Sequence, residues 1–288
     1  MEKNIQNLIR HIAAAVANIY EAHEAKAMAM LVVEQVLRLS PLQLSVARQQ
    51  AVSEEQWQQA ADIVERLRQH EPLQYVLGCA HFYGLELEVN PAVLIPRPET
   101  EELVDLVVRE NTGRQQLHIL DICTGSGCIP IALSAHLAAE KVYGLDISQP
   151  ALDLARKNAL KYGQPVEWLQ QDILKQDLPL SPASFDIMVS NPPYVLEQEK
   201  ALMRENVLAF EPHLALFVPD NNALLFYKRI AALGGSHLKA GGKLYLEINE
   251  QQALPLKQLL QEFGYDQVQV LPDLFGKDRF IRAGWRAD

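Results

Sequence analysis

The chain has 288 residues, of which 49% are hydrophobic and 22% charged, and its formal net charge is −10. This length accommodates two domains of ordinary size, and the composition is typical of a globular protein. The acidic balance argues against direct contact with nucleic acid, because such proteins neutralise phosphates with basic residues. No apolar run reaches the roughly 18 residues of a membrane span and no secretory signal begins the chain, so we expect a cytoplasmic protein without membrane association.

The number and spacing of the cysteines also indicate a cytoplasmic protein. Cys79, Cys123 and Cys128 are too few and too scattered for a disulfide framework. No second pair completes a zinc site with Cys123 and Cys128. We therefore expect buried thiols in a reducing compartment and no bound metal.

Residues 5–70 have the apolar spacing of helices. Apolar side chains recur every three or four residues, and Ser40-Pro41 interrupts the pattern. Ser53 followed by Gln56 is typical of a capping box that begins a further helix. Residues 1–71 are therefore predicted to form a small helical bundle. Because no catalytic grouping is present in them, this bundle is expected to have no role in the chemistry.

Extended segments follow the bundle. Gln74–Gly78 and His81–Val89 have the composition of two strands, so residues 72–93 are predicted to form a β-hairpin linker. The prolines of Pro96-Arg97-Pro98 then enforce an extended backbone. A helix is predicted over Glu99–Glu110, with acidic residues at its N-terminus as the helix dipole favours.

Strands and helices alternate from residue 115 onward, which predicts an α/β domain over residues 94–288. We expect a mostly parallel seven-stranded sheet covered on both faces, with helices over Cys128–Ala139 and Gln149–Tyr162. The last two strands have a connection too short for a helical crossover, so they are expected to pair antiparallel at the sheet edge. The predicted strands are Leu117–Ile122, Lys141–Leu145, Val166–Gln170, Phe185–Ser190, Lys243–Ile248, Gln267–Leu271 and Arg279–Gly284.

A glycine turn follows the first strand of this domain, between Asp121 and Cys128. Gly125 and Gly127 permit close approach of the backbone to a ligand, as the first two glycines of a nucleotide fingerprint do. Pro130 replaces the third glycine of that fingerprint, which disfavours a dinucleotide-dependent enzyme.

Acidic residues lie at the ends of successive strands. Asp146 follows the glycine turn at the spacing of about 20 residues at which a carboxylate accepts hydrogen bonds from ribose hydroxyls. Asp172 is placed to accept from an adenine amino group, and Asp121 to orient the loop or contact a cationic ligand. Residues 115–140 contain no lysine or arginine to bind phosphate. S-adenosylmethionine, which has an adenosine, a positive sulfonium and no phosphate, fits this set best.

The tetrapeptide Asn191-Pro192-Pro193-Tyr194 directly follows the predicted strand Phe185–Ser190. Each proline fixes the backbone and removes a donor, so carbonyl groups remain free to accept. The Asn191 side chain offers an acceptor and donors, and Tyr194 offers a flat face. Such a slot suits a planar group that bears an NH₂, either an amide or the exocyclic amine of a base.

With these features the chain resembles Rossmann-like S-adenosylmethionine methyltransferases, and more narrowly the HemK/PrmC family of peptide-chain-release-factor glutamine methyltransferases. The likeness covers about residues 72–285 and is specific as a set. Its motifs, besides the tetrapeptide, are Pro72–Gly78, Phe82-Tyr83-Gly84, Leu94–Glu101, Asp121–Gly127, Phe210–Leu216 and Gly276–Arg279. Cys123 departs from the family, which commonly has glycine there, so we expect a more restricted backbone at this position.

The resemblance implies methyl transfer from S-adenosylmethionine, leaving S-adenosylhomocysteine, to the glutamine amide of the Gly-Gly-Gln motif in class I release factors. Asn191, Pro192 and Tyr194 are expected to be catalytic and, with Pro193 and Arg97, to contact the substrate. The bundle is predicted to recognise the protein substrate. The expected cofactor site consists of Cys123, Thr124, Gly125, Ser126, Gly127, Asp146, Asp172, Ile173 and Asn191.

Other functions remain open at this point. An amino-methyltransferase acting on adenine or guanine of DNA or RNA shares the tetrapeptide and stacks a flipped or single-stranded base on Tyr194. The acidic balance argues against it. The missing third glycine disfavours a dinucleotide-dependent oxidoreductase, and a non-catalytic adaptor has no need of the slot.

Overall fold

The computed structural model describes residues 2–286, which divide into two compact units. One unit contains the chain up to Gly78 together with Arg204–Phe210, and the other contains Cys79–Met203 and the chain from Glu211 onward. Between residues 2 and 286, no helix is both long and apolar enough to cross a membrane. The helices are α1 (Ile5–Val16), α2 (Ala22–Leu37), α3 (Pro41–Val46), α4 (Glu54–Arg68), α5 (Leu73–Leu77), α6 (Pro98–Asn111), α7 (Cys128–His136), α8 (Gln149–Lys161), α9 (Glu205–Phe210), α10 (Leu225–His237) and α11 (Ala253–Glu262). The strands are β1 (Cys79–Phe82), β2 (Leu85–Glu88), β3 (Gln115–Ile122), β4 (Ala138–Asp146), β5 (Val166–Gln170), β6 (Phe185–Ser190), β7 (Val195–Leu196), β8 (Phe217–Val218), β9 (Leu238–Glu247), β10 (Tyr265–Pro272) and β11 (Asp278–Trp285).

The first unit is helical, as predicted. Its core contains side chains from the buried faces of α1, α2, α4 and α5. Ser53 and Gln56 form the predicted capping box: each side chain bonds the other residue's backbone N–H, which satisfies two donors at the start of α4. Ser40 forms a second capping box with Gln43 at the start of α3.

The prediction of a strand over Gln74–Gly78 is wrong. This stretch forms α5, in which the Tyr75 and Val76 N–H groups donate to the Pro72 carbonyl, each at 3.0 Å. Leu73 and Val76 have helical spacing and are buried in the core of the first unit. The predicted linker over residues 72–93 is thus distributed between the two units.

The hairpin lies a few residues further along the chain. It is formed by β1 and β2. β2 lies wholly within the stretch His81–Val89 that was predicted as a single strand, and β1 overlaps only its first two residues. Tyr83 and Gly84 turn the chain with φ of 47° and 78°, the left-handed conformation that tight hairpin turns require. The Asn158 side chain of α8 bonds the Glu88 N–H (2.7 Å) and carbonyl (3.0 Å), which attaches the hairpin to the second unit.

The second unit contains the predicted seven-stranded sheet, in the order β10-β11-β9-β6-β3-β4-β5. Strands β9, β6, β3, β4 and β5 are parallel to one another. β11 is antiparallel to both β9 and β10, and β10 and β11 form the antiparallel pair predicted at the sheet edge. Helices α6 and α7 cover one face, and α10 and α11 cover the other. Several boundaries differ from prediction by a few residues, most clearly where α7 ends at His136 and Ala138-Ala139, predicted as its end, begins β4. β9 likewise begins at Leu238, five residues before the predicted start.

Candidate active site

A cavity of about 390 Å³ lies where the parallel strands β3, β4, β5 and β6 end. Open α/β sheets bind ligands at this edge. Ile122 is aligned with Leu145 and with Ser190, so the residues that follow these strands lie side by side. The predicted site residues that line the cavity are Arg97, Cys123, Thr124, Gly125, Ser126, Asp146, Asp172, Ile173, Asn191 and Pro193. Three predicted site residues, Gly127, Pro192 and Tyr194, lie outside this lining.

The loop after β3 is shaped by left-handed backbone conformations. Cys123 has φ of 63° and Gly125 has φ of 53°. The Thr124 N–H donates to the Leu145 carbonyl at 2.9 Å, which fixes the loop to β4. The restricted backbone expected at Cys123 is therefore present, since a side chain in this region costs roughly 1–2 kcal/mol.

Gly127 has a packing role, which differs from the predicted contact with the cofactor. A Cβ atom there would lie 2.8 Å from Trp168 Cη2, 3.0 Å from Ala155 Cβ and 3.1 Å from Ile131 Cδ1. The first of these distances is shorter than real Cβ contacts allow, and the other two are tighter than nearly all of them. The absent side chain of Gly127 thus lets α7 pack closely on β5 and α8, while Gly125 is the glycine with open space at the cavity.

Asp146 connects the glycine loop to the start of α8. Its two carboxylate oxygens accept from the Gly125 and Ser148 N–H groups, each at 2.9 Å. Burial raises the pKa of Asp146, and these backbone hydrogen bonds oppose that effect. Because a carboxylate has about four acceptor sites, capacity remains for the ribose hydroxyls predicted at this position.

Asp121 is completely buried near the end of β3, and neither of its carboxylate oxygens has a hydrogen-bond partner among the described residues. The Thr124 hydroxyl, at the cavity wall, lacks a partner within residues 2–286 as well. Burial raises the pKa of Asp121 well above its usual range, the neighbouring Thr124 hydroxyl opposes this effect, and the nearby charge of Asp146 adds to it. A cationic ligand would favour the ionised form of such a carboxyl group.

The two cations that line the cavity are both paired. Arg97 Nη2 lies 2.6 Å from Glu211 Oε1, and Lys175 Nζ lies 2.9 Å from Asp172 Oδ2. Over the described stretch of the chain, no other lysine or arginine lines the cavity. The site therefore offers orphaned acidic and hydroxyl groups but no free cation for a phosphate, and these groups fit S-adenosylmethionine.

The residues after β5 form the predicted adenine end of the cavity. Ile173 is buried and supplies an apolar wall. The Asp172 carboxylate accepts from the Leu174 N–H at 3.0 Å, and its hydrogen bond with Lys175 lowers its pKa. Asp172 is thus an ionised acceptor at the wall of the cavity.

Asn191 follows β6 and lines the cavity, and its Nδ2 donates to Thr100 Oγ1 at 3.0 Å. The Thr100 hydroxyl donates to Glu247 Oε2 at 2.7 Å, and the Tyr194 hydroxyl donates to Glu247 Oε1 at 3.0 Å. Burial raises the pKa of Tyr194 well above its usual range, so its hydroxyl stays neutral. Pro192 and Pro193 are buried beside them.

Sequence reasoning assigned no role to Thr100, Glu211 or Glu247, which are 2%, 4% and 1% exposed. Glu211 fixes the backbone before α6, because its carboxylate accepts from the Ile95 N–H at 3.1 Å as well as from Arg97. A signal for Glu247 was present in the sequence, since a carboxylate at the end of an apolar strand requires buried partners.

The structure also shows whether the cysteines are paired and whether side chains of metal-binding types form a cluster. All three cysteines are free. Burial raises the pKa of Cys123 well above its usual range and that of Cys128 to about 12, so both stay protonated at neutral pH. Within the part of the chain described, no group of three or more His, Cys, Asp or Glu side chains is arranged to hold a metal ion.

The fold and the cavity together define a Rossmann-like methyltransferase with S-adenosylmethionine as its methyl donor. A family model described as a methyltransferase domain matches residues 119–210, and one described as the PrmC N-terminal domain matches residues 7–78. The chain belongs to the family of release factor glutamine methyltransferases, as its curated relatives establish. The relative from Bacteroides thetaiotaomicron is 43% identical over 97% of this chain and 99% of its own length.

A second relative with the same name, from Flavobacterium psychrophilum, is 38% identical over 98% of this chain and 99% of its own. Among solved structures, a methyltransferase from Pyrococcus furiosus matches 71% of this chain and 90% of its own, with a TM-score of 0.52 and 18% identity. The last comparison concerns the fold alone.

Proposed function

We propose that this protein methylates the side-chain amide nitrogen of the glutamine in the Gly-Gly-Gln motif of class I peptide-chain release factors. The names of its relatives support a release factor as the substrate. The observation that supports amide methylation is the Asn191 side chain at the cavity wall. No hydrogen bond within residues 2–286 reaches its Oδ1, so this oxygen is available to a substrate. An acceptor at this place is what a substrate NH₂ group requires.

One end of the cavity would bind the methyl donor, S-adenosylmethionine. Asp146 would bind the ribose hydroxyls, Asp172 and Ile173 the adenine, and Thr124, Gly125 and Ser126 the remainder along the glycine loop. S-adenosylmethionine, when bound, supplies an electrophilic methyl group on a positive sulfonium. The buried carboxyl group of Asp121 lies behind the loop, where a positive ligand favours its ionised form.

Asn191 and the Pro192 carbonyl would accept the two hydrogens of the glutamine amide. This matters because an amide nitrogen is a poor nucleophile, its lone pair being delocalised into the carbonyl group. Two acceptors hold the nitrogen with its face toward the methyl group and favour a more pyramidal geometry. Alignment of this kind contributes up to roughly 7–11 kcal/mol to a reaction between two bound groups. The amide proton then leaves to water.

The remaining predicted substrate residues shape the slot. Arg97 is fixed by Glu211 at the cavity wall, which leaves part of its guanidinium exposed for a substrate carbonyl. Tyr194 lies outside the lining of the cavity, and the ring contact with the substrate amide proposed for it would form at the edge of the slot while its hydroxyl stays bound to Glu247. Pro193 lines the cavity beside Asn191 and limits the slot to a planar group.

The helical unit would recognise the release factor outside the Gly-Gly-Gln motif. It has its own apolar core, and it contains none of the residues that line the cavity. The match of residues 7–78 to the PrmC N-terminal domain supports this role. The three free cysteines support a reducing, cytoplasmic location, where translation takes place.

The decisive experiment measures transfer of labelled methyl from S-adenosylmethionine to a purified class I release factor, to DNA and to RNA. Label in the release factor, and its loss when the motif glutamine is replaced by alanine, supports the proposal. Label in DNA or RNA, with none in the release factor, would identify a nucleic-acid amino-methyltransferase instead.

A further inference from the structure

A continuous series of hydrogen bonds through Thr100 and Glu247 connects the side chains of Asn191 and Tyr194, the first and last residues of the Asn-Pro-Pro-Tyr slot. Asn191 Nδ2 lies 3.0 Å from Thr100 Oγ1, which lies 2.7 Å from Glu247 Oε2. The other oxygen of Glu247 lies 3.0 Å from the Tyr194 hydroxyl. Thr100 and Glu247 are 2% and 1% exposed, so water does not compete for these bonds.

The direction of each bond follows from counting protons. An ionised carboxylate can only accept, so the single hydroxyl proton of Thr100 is donated to Glu247. The Thr100 oxygen can then only accept from Asn191, which must present its NH₂ group. The Asn191 oxygen is consequently turned away from Thr100 and is left for a ligand in the cavity.

We propose that Thr100 and Glu247 are positioning residues that set the rotation of the Asn191 amide, so that its oxygen faces the substrate glutamine. The two ends of an asparagine amide have nearly the same shape, so packing alone does not select between them. With the amide rotated by half a turn, two NH₂ groups would face each other and the substrate would lose its acceptor. This inference rests on the proposed function.

The surroundings of Glu247 bear on the pH at which this arrangement holds. Burial raises the pKa of Glu247 to about 6, the hydroxyls of Thr100 and Tyr194 and the charge of Arg279 oppose this, and Glu99 adds to it. The Tyr227 hydroxyl donates to the Glu247 carbonyl and stays neutral, because burial raises its pKa well above the usual range. A protonated Glu247 can itself donate, so below about pH 6 the direction of the Thr100 proton is no longer determined.

The test compares Thr100→Val, which removes the hydroxyl but keeps the shape, with Thr100→Ser, which keeps the hydroxyl. Thr112→Val is the matched control, because it removes a hydroxyl at the end of the same helix, where Thr112 bonds only the Val108 carbonyl. Each variant is assayed for kcat and KM with whole release factor, for S-adenosylmethionine affinity by calorimetry, and for kcat between pH 5 and pH 8.

We expect Thr100→Val to lower kcat roughly 10- to 100-fold, as for one buried hydrogen bond left unpaired, with KM and donor affinity nearly unchanged. Thr100→Ser retains most of the activity, and Thr112→Val has the wild-type rate. In the wild type kcat falls as the pH drops through about 6. This acid limb is absent in Thr100→Val, because Glu247 is no longer connected to Asn191.

Wild-type kcat and an unchanged acid limb in Thr100→Val would overturn the positioning role. If that variant does not fold, Glu247→Gln decides: the inference requires a lower kcat without the acid limb, and fails if both remain as in the wild type. Absence of methyl transfer to the release factor by the wild type itself is a separate result, which refutes the proposed function.

Discussion

Trp168 of β5 lies directly against Gly127, the first residue before α7, at a distance that leaves no room for a methyl group. The same indole covers Gly144 of β4, so one side chain fills the space that two missing side chains leave open. The two glycines of the loop therefore serve different ends. Gly127 belongs to the packing of the unit, and Gly125 belongs to the wall of the cavity.

This division predicts opposite phenotypes for Gly127→Ala and Gly125→Ala. At Gly127 a Cβ meets Trp168 in addition to the unfavourable φ of 79°, so we expect a loss of roughly 2–4 kcal/mol in the free energy of unfolding. At Gly125 only the backbone strain applies, about 1–2 kcal/mol. The Gly125 variant should lose more affinity for S-adenosylmethionine. Urea unfolding and calorimetry measure the two quantities, and equal effects at both positions would contradict the division.

Asp146→Ala is expected to weaken S-adenosylmethionine binding by roughly 1.5–3 kcal/mol, as for a lost hydrogen bond to a charged group. The loss includes the freed Gly125 and Ser148 N–H groups, which the Asp146 carboxylate now holds. Asp153→Ala is the matched control, because this carboxylate of α8 lies on the exposed face and pairs with Arg156. Calorimetry that finds equal donor affinity in both variants would remove Asp146 from the ribose site.

Asn191→Ala is expected to lower kcat and kcat/KM together, on the order of 100-fold, because an oriented hydrogen bond at the reacting group is lost. Donor affinity should fall far less than in Asp146→Ala. Asn191→Asp keeps an acceptor of the same shape but cannot donate to Thr100, so it should be more active than the alanine variant and less active than the wild type. Steady-state kinetics with whole release factor measure this order, and a wild-type rate in Asn191→Ala would make the slot structural.

The raised pKa of Glu247 predicts that its ionised form, which orients Thr100 for activity, lowers the free energy of unfolding. Its pKa of about 6 in the folded protein lies above its ordinary value of 4.5, so the folded state binds more protons between these values. Stability from this group is therefore fully present below about pH 4.5 and is lost as the pH rises through about 6, by about 2 kcal/mol. Glu247→Gln escapes this loss.

Relative to the wild type, Glu247→Gln should hence gain about 2 kcal/mol more in unfolding free energy at pH 8 than at pH 4.5. Denaturant unfolding at the two pH values measures the difference, with Glu262→Gln, an exposed glutamate at the end of α11, as the control. The same difference in the control and in Glu247→Gln would show that Glu247 is not the source.

The helical unit is tested with a chain that starts at Cys79. It should keep its affinity for S-adenosylmethionine, because every residue that lines the cavity is retained. Its kcat/KM should fall at least about tenfold with whole release factor, equivalent to 1.4 kcal/mol, yet stay unchanged with a short Gly-Gly-Gln peptide. If both substrates are affected alike, the helical unit acts on the catalytic unit and not on the partner.

The sequence was most informative where local pattern determines structure. Val166–Gln170 and Phe185–Ser190 were predicted with the bounds that the structure has, because apolar side chains predominate in both short stretches and each ends at a polar residue. The strand predicted over Gln74–Gly78 is wrong because five residues support a strand and a helix almost equally well. The helical conformation of this segment is set by tertiary packing onto the first unit, which no local pattern reveals.

The site residues likewise fall into those that a local sequence pattern identifies and those that depend on distant contacts. Asn191, Asp146 and Asp172 were identified because they directly follow predicted strands, whose carboxyl ends meet at one edge. Thr100 and Glu247 were not, since their contact joins residues 147 positions apart. The role of Gly127 was likewise hidden, because it depends on Trp168, two strands away across the sheet.

The pair formed by Arg97 and Glu211 joins two segments 114 residues apart, between which lie all the strands that end at the cavity. Contacts of such long sequence separation are completed late in folding, because the entropy of closing the loop must first be overcome. During synthesis on the ribosome, this wall of the cavity cannot close before residue 211 of 288 has emerged. The nascent enzyme therefore passes most of its own translation without a complete substrate wall of the cavity, and gains it only when about a quarter of the chain remains to be made.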